Sequence, residues 1–185
     1  MPIFSLLRAA LLSTVASFLL TVGAIAQAET KAALDMSSKE ALNHLIATVP
    51  AARTLSEKAI AVLVFPSITK AGFMVGGQFG DGVLWQQGKP VAYYNNSGAS
   101  FGLQAGAQTY GYAMFFMKES ALKSLEKADG FEVGVGPSVV VVDQGMGASH
   151  TTTTLQDDIY AFIFGQKGLM AGVGIQGNKI TKINK

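Results

Sequence analysis

Few residues in this chain are equipped for chemistry. Its 185 residues include two histidines, His44 and His150, and no cysteine. A structural zinc site takes four nitrogen or sulfur ligands, which this set does not supply. There is no thiol nucleophile and no disulfide. His44 stands four residues after Glu40, but no His-Glu-x-x-His motif is present. Asp157 and Asp158 are adjacent. Neighbours in a strand point to opposite faces, so a shared carboxylate site is a poorer reading than a solvated turn. Asp143-Gln-Gly also reads as a turn. No Gly-x-Ser-x-Gly elbow or Ser-His-Asp grouping occurs. No phosphate loop of the form GxxxxGK[ST] is present, and neither Gly134-Val-Gly136 nor Gly145-Met-Gly147 opens a helix. The chain therefore reads as non-enzymatic, with no cofactor and no metal.

The charges point to surfaces instead of reactions. Net charge is +2, and only 14% of residues are charged, against the usual ~25%. No basic run exists that would neutralise several phosphates, which argues against nucleic acid. Beyond Arg8 the only arginine is Arg53. Arg53 and Lys58 flank a short predicted helix, while Lys70 and Lys167 precede two copies of a glycine motif. These four cations read as ordinary surface residues or as a shallow patch for an anionic head group.

That motif is the most distinctive feature of the sequence. Gly72-Phe-Met-Val-Gly76, Gly102-Leu-Gln-Ala-Gly106, Gly130-Phe-Glu-Val-Gly134 and Gly168-Leu-Met-Ala-Gly172 share one pattern. As helix it would suggest close packing of membrane helices, but Gln78, Asp81, Glu132 and Gln176 interrupt the flanks. As strand it alternates. Phe73, Val75, Gly77 and Phe79 face one way; Gly72, Met74, Gly76 and Gln78 face the other. Each copy is then a strand with one apolar face and one face reduced to glycine, as expected where backbones approach closely. Gly76, Gly106, Gly134 and Gly172 are the positions where such an approach is expected. Four such strands imply a strongly curved sheet.

Other elements must carry these strands. Residues 1–28 contain one charge, Arg8, and an apolar run closed by Ala24-Ile-Ala26 and Ala26-Gln-Ala28. This is the pattern of a secretory signal peptide, leaving one domain over 29–185 and an exported protein, periplasmic or secreted. In residues 29–58, Ser37-x-x-Glu40 reads as a capping box. Leu42, Leu45, Ile46 and Val49 form a helical apolar stripe. Pro50 breaks that helix, and Ala51 to Lys58 form a second. Lys118 to Lys127 forms another, with Leu122 and Leu125 inward. Strands are expected at Ile60–Phe65, ending at Pro66, and on both sides of a turn at Gln87-Gly88-Lys89. Further strands are expected at Val139–Val142, buried on both faces, at Ile159–Phe164, and at Ile180–Ile183 after a turn at Asn178. The fold class is α+β: a glycine-rich, mostly antiparallel curved sheet or barrel with an N-terminal helical segment and one or two covering helices.

Three stretches resemble the SYLF domain: "AIAVLVFPSITKAGFMVGGQFGDGVL" (59–84), "GASFGLQAGAQTYGYAMFFM" (98–117) and "DIYAFIFGQKGLMAGVGIQGNKI" (158–180). The resemblance covers roughly residues 40–183. It implies lipid binding. Eukaryotic members carry the domain beside Src-homology-3 or FYVE modules and bind phosphoinositides, and in yeast they also bind and bundle actin. Bacterial members are typically exported single domains. The resemblance implies an anionic lipid or membrane surface as partner, with Lys70 and Lys167 as head-group contacts. The helix carrying Leu42, Leu45, Ile46 and Val49 would be the membrane contact, unless its stripe is used to cover the sheet. A protein-interaction module for envelope components or host cytoskeleton, and a small apolar ligand carrier using a barrel interior, are the alternatives.

Overall fold

The computed structural model describes residues 30–127, 131–132, 138–142 and 157–185, with side chains described outside 100–104, 131–132, 139, 142 and 170–177. The expected signal segment, the third glycine motif apart from the backbone of 131–132, Asp143 and His150 lie outside them. The elements run α1 (Lys31–Thr48), α2 (Pro50–Ser56), β1 (Ala61–Gln86), β2 (Lys89–Phe116), α3 (Glu119–Glu126), β3 (Phe131–Glu132), β4 (Val139–Val142) and β5 (Ile159–Ile183).

Helix α1 starts six residues before the expected capping box. Thr30 is its N-cap, its hydroxyl accepting from the Ala33 N–H at 3.3 Å. Ser37 lies inside the helix and donates to the Leu34 carbonyl at 3.2 Å. Val49 ends α1 in extended conformation, and Pro50 opens α2 at a position where no N–H is needed.

The sheet is built from three long strands in the order β1-β2-β5. β3 pairs antiparallel and β4 parallel with β5. β1 and β2 are joined by a two-residue turn with Gln87 at φ 50° and Gly88 at φ 74°. Positive φ at both positions matches the right-handed twist of a hairpin. Two expected strand ends do not occur. β1 continues through Pro66 because the register shift between Phe65 and Ile68 places the proline in a bulge, where no ladder donor is required. β5 continues through Asn178, which pairs with Gly98. β4 is present, but Val141 is 50% exposed, so that strand is not buried on both faces.

Alternation along the three strands produces two cores. On the concave face, Ala61, Leu63, Phe65 and Ile68 from one end of β1 join Leu84 from its other end. Tyr94 and Tyr112 from β2, and Ala161 and Ile180 from β5, do the same. Both ends of each long strand therefore share one interior, so the sheet is curled, and α3 plugs it with Ala121, Leu122 and Leu125. On the convex face α1 and α2 cover Val62, Val64, Val83, Trp85, Phe115 and Phe162. Buried side chains of this size contribute about 1.5–3 kcal/mol each. Two hydrogen bonds fix α1 there. The Trp85 indole N–H donates to Ser38 Oγ at 2.8 Å, and the Tyr93 hydroxyl donates to Asp35 Oδ1 at 2.9 Å.

The curl passes through the glycine motif. A Cβ on Gly80 would stand 2.6 Å from the Ser67 carbonyl oxygen, and one on Gly82 would stand 2.5 Å from the Phe65 ring. β1 therefore doubles back against its own first half. Within the motifs, close approach is described at Gly72 and at Gly168. In the first copy it is Gly72 that presses on Gly76. In the fourth it is Gly168, at φ 92°, with a Cβ position 2.5 Å from the Ala107 carbonyl oxygen. Gly106 has φ 136°, a conformation that disfavours side chains. Gly134 lies outside the described residues, and for Gly172 only the backbone pairing with Gln104 is described.

Candidate functional site

Strand alternation predicts which face the apolar residues of the first motif occupy. Val83 and Trp85 lie on the convex, helix-covered face, so Phe79, Val75 and Phe73 lie there too. Helix α1 does not extend over them. Phe73 is 75% exposed, Phe79 60% and Val75 59%, and across the sheet Leu169 is 88% exposed. Register joins them into one ridge. Ala71 pairs with Ala107 and Ala107 with Leu169, while Phe73 pairs with Ala105 one row further on. Gly72, Gly76, Gly80 and Gly82 lie on the other face, inside the curl. At Gly80 and Gly82 the bend leaves no room for a side chain, whereas on the same face Gln78 is buried and Met74, at φ 61°, is exposed; the apolar residues of the motif are turned outward.

The sheet that carries the ridge is basic, with Lys167 and Lys179 on the ridge's own face. β1, β2 and β5 together carry Lys70, Lys89, Lys167, Lys179 and Lys182 and one acid, Asp81. Asp81 is paired with Lys185 at 2.8 Å.

Beside the ridge a groove of about 460 Å³ opens between α1 and the sheet. Glu40 and His44 line it from the helix, Pro66 and Ser67 from the β1 bulge, and Gly165 and Lys167 from β5. It opens where β1 is irregular, at Phe65/Ile68, and where β5 has Gly165 at φ 60°.

The four expected cations are not brought together. Lys167 pairs with Thr109 and lines the groove on the convex face. Lys70 pairs with Gln108, one register step away, so its side chain leaves the opposite face, and it is half-buried. Arg53 and Lys58 are exposed on α2 and the turn after it, outside the groove lining. The stripe of α1 is occupied by the sheet. Leu45 is 1% and Val49 7% exposed, and Leu42 packs against the same cluster; Ile46 is half-buried. An apolar contact surface is thus supplied by the strands and not by this helix.

The concave interior holds a polar cluster. The Tyr110 hydroxyl donates to Gln78 Oε1 at 3.1 Å, and Gln78 Nε2 donates to Asn96 Oδ1 at 3.3 Å. Burial pushes the phenols of Tyr94 and Tyr112 up to about 12 and raises that of Tyr110. They stay neutral at physiological pH. Large side chains such as Phe65, Phe116, Met114 and Tyr94 fill the rest of this interior.

The adjacent carboxylates have structural partners. Asp158 binds Lys118 at 2.7 Å and accepts from the Ser138 N–H at 3.1 Å. Tyr160 donates to Asp157 at 3.4 Å. Among the described residues no group of three or more His, Asp or Glu is placed to hold a metal ion. Among them, no helix is long and apolar enough to cross a membrane.

The signal that sequence reasoning missed was the side on which the glycines lie. Glycines on one face of a strand imply that this face is the inside of a bend, and so imply an exposed opposite face. No curated protein matches the chain. Residues 97–185, from within β2 to the C-terminus, match the family model described as Ysc84, Las17-binding protein actin regulator, and this match supports the SYLF resemblance over the C-terminal part of the chain.

Proposed function

We propose that this protein is an exported, non-enzymatic domain that binds membrane surfaces, with a preference for anionic ones. The observation that carries the reading is the uncovered convex ridge of Phe73, Val75, Phe79 and Leu169, with Lys167 and Lys179 on the same face of the sheet. Exposed apolar patches of this kind mark interaction sites. The family match supports the same direction.

The magnitudes are sufficient. Burying a large apolar side chain contributes about 1.5–3 kcal/mol, and each lysine near an anionic surface about 1 kcal/mol. Partial insertion of Phe73 and Leu169 with a few lysines reaches the ~8 kcal/mol of a micromolar complex. Lysines alone would not.

Co-sedimentation with vesicles tests this. The protein should pellet with phosphatidylglycerol-containing vesicles, less so at high salt, and weakly with pure phosphatidylcholine. The double variant Phe73→Ser/Leu169→Ser should lose most of the binding. Equal pelleting of parent and double variant would remove the ridge from the contact.

A second reading is favoured by the description of the matching family as Las17-binding and actin-regulating. The same ridge would then seat a protein. Binding of a partner in fixed stoichiometry, unchanged by lipid and lost in the double variant, would select it.

A further inference from the structure

We propose that the groove between α1 and the sheet recognises a phospholipid head group carrying a primary ammonium beside its phosphate. The inference rests on the membrane reading above and names what the membrane surface would present.

The groove carries both signs of charge on opposite walls. Glu40 projects from α1 and Lys167 from β5, and both are exposed. Among the described residues no ion pair joins them. Two opposite charges facing one cavity without pairing suit a ligand that is itself a dipole. Lys167 can meet the phosphate, and Glu40 can accept hydrogen bonds from the ammonium. A head group with only negative charge would satisfy Lys167 but would place its anion near Glu40. A choline head group balances the charge but has no N–H to donate. The primary ammonium satisfies both walls.

Position supports the same assignment. Lys167 and Leu169 are two residues apart on one strand, so they share a face, and Leu169 is the most exposed large apolar side chain of the ridge. A lipid whose head group occupied the groove would have its glycerol and acyl chains beside Leu169 and Phe73. At about 460 Å³ the groove falls within the usual size of small-ligand sites.

The experiment compares two vesicle sets of equal phosphatidylglycerol content, with the remainder either phosphatidylcholine or phosphatidylethanolamine. The parent protein should bind the second set about three- to tenfold more tightly, the range expected of one partly exposed charge-assisted contact. In Glu40→Gln the ratio should fall to about one. The Glu40 side chain is exposed, so the variant should keep the parent's melting temperature, which is the folding control. Phosphatidylethanolamine also changes lipid packing, but parent and variant would feel that equally. A preference retained by Glu40→Gln, or no preference in the parent, would overturn the groove assignment while leaving the ridge reading intact. Failure of the parent to bind either set would overturn both.

Discussion

A Cβ added to Gly72 would run into the Cα of Gly76, four residues along the same strand. Between them Met74 has φ 61°, and the β1–β2 register shifts from Phe73 to Val75. This is the tightest point of the curl. Gly72→Val should lower the unfolding free energy by about 1–3 kcal/mol. Gly77 is the control: its Cβ position meets only the Gly98 carbonyl oxygen, at 3.7 Å, so Gly77→Val should stay within about 0.5 kcal/mol. Urea denaturation of both variants decides. Equal midpoints would mean that the motif is not a steric requirement.

Ser38 is fully buried and is the acceptor for the only tryptophan of the chain. Ser38→Ala leaves the Trp85 N–H without that partner, at a cost of about 1–3 kcal/mol. The same tryptophan reports the change, since detachment of α1 exposes it and shifts its emission to longer wavelength. A variant with unaltered emission and stability would show that α1 docks by apolar contact alone.

Stability should fall in acid through Asp158. Its carboxyl is held below the ordinary 3.8, first by the hydrogen bond from Lys118 and then by the Ser138 N–H. A depressed carboxyl contributes stability above its unfolded pKa and loses it as pH falls through the folded one. Lys118 is raised above 10.5 by the same pair, so its share is present at lower pH and disappears only as pH rises through its folded value. The stability difference between the parent and Asp158→Asn should therefore be flat around neutrality and shrink below about pH 4. A difference that persisted unchanged into strong acid would mean that the ion pair is not its source.

The ridge should be expendable for folding. Phe73 and Leu169 are exposed, so Phe73→Ser and Leu169→Ser should each change stability by no more than about 0.5 kcal/mol. Loss of vesicle binding is then readable as loss of contact. A large drop in melting temperature would reveal that another part of the chain covers the ridge.

The exported form should begin at Gln27 or Glu29, after one of the two small-residue sites. Intact-mass measurement of protein recovered outside the cytoplasm checks this. Recovery of the full-length chain embedded in membrane would identify the apolar segment as an anchor.

Local patterns were sufficient for much of the fold. Periodicity located α1, the break at Pro50, α3 and the hairpin at Gln87-Gly88, because each depends on neighbours within a few residues. Alternation across Gly72 to Phe79 also established that one face of the strand is apolar and the other nearly bare. Which of those faces is inside was not a local property. The bare face is internal because β1 doubles back on Phe65 and Ser67, a contact between residues far apart in sequence. The same closure turns Phe73 and Leu169 outward and sends Lys70 and Lys167 to opposite faces. It also gives the stripe of α1 a partner in Val62, Val83 and Trp85. Residue types and spacing thus determined what the strands and helices are; burial, which depends on how the distant ends of β1, β2 and β5 meet, decided which of their surfaces remain available for binding.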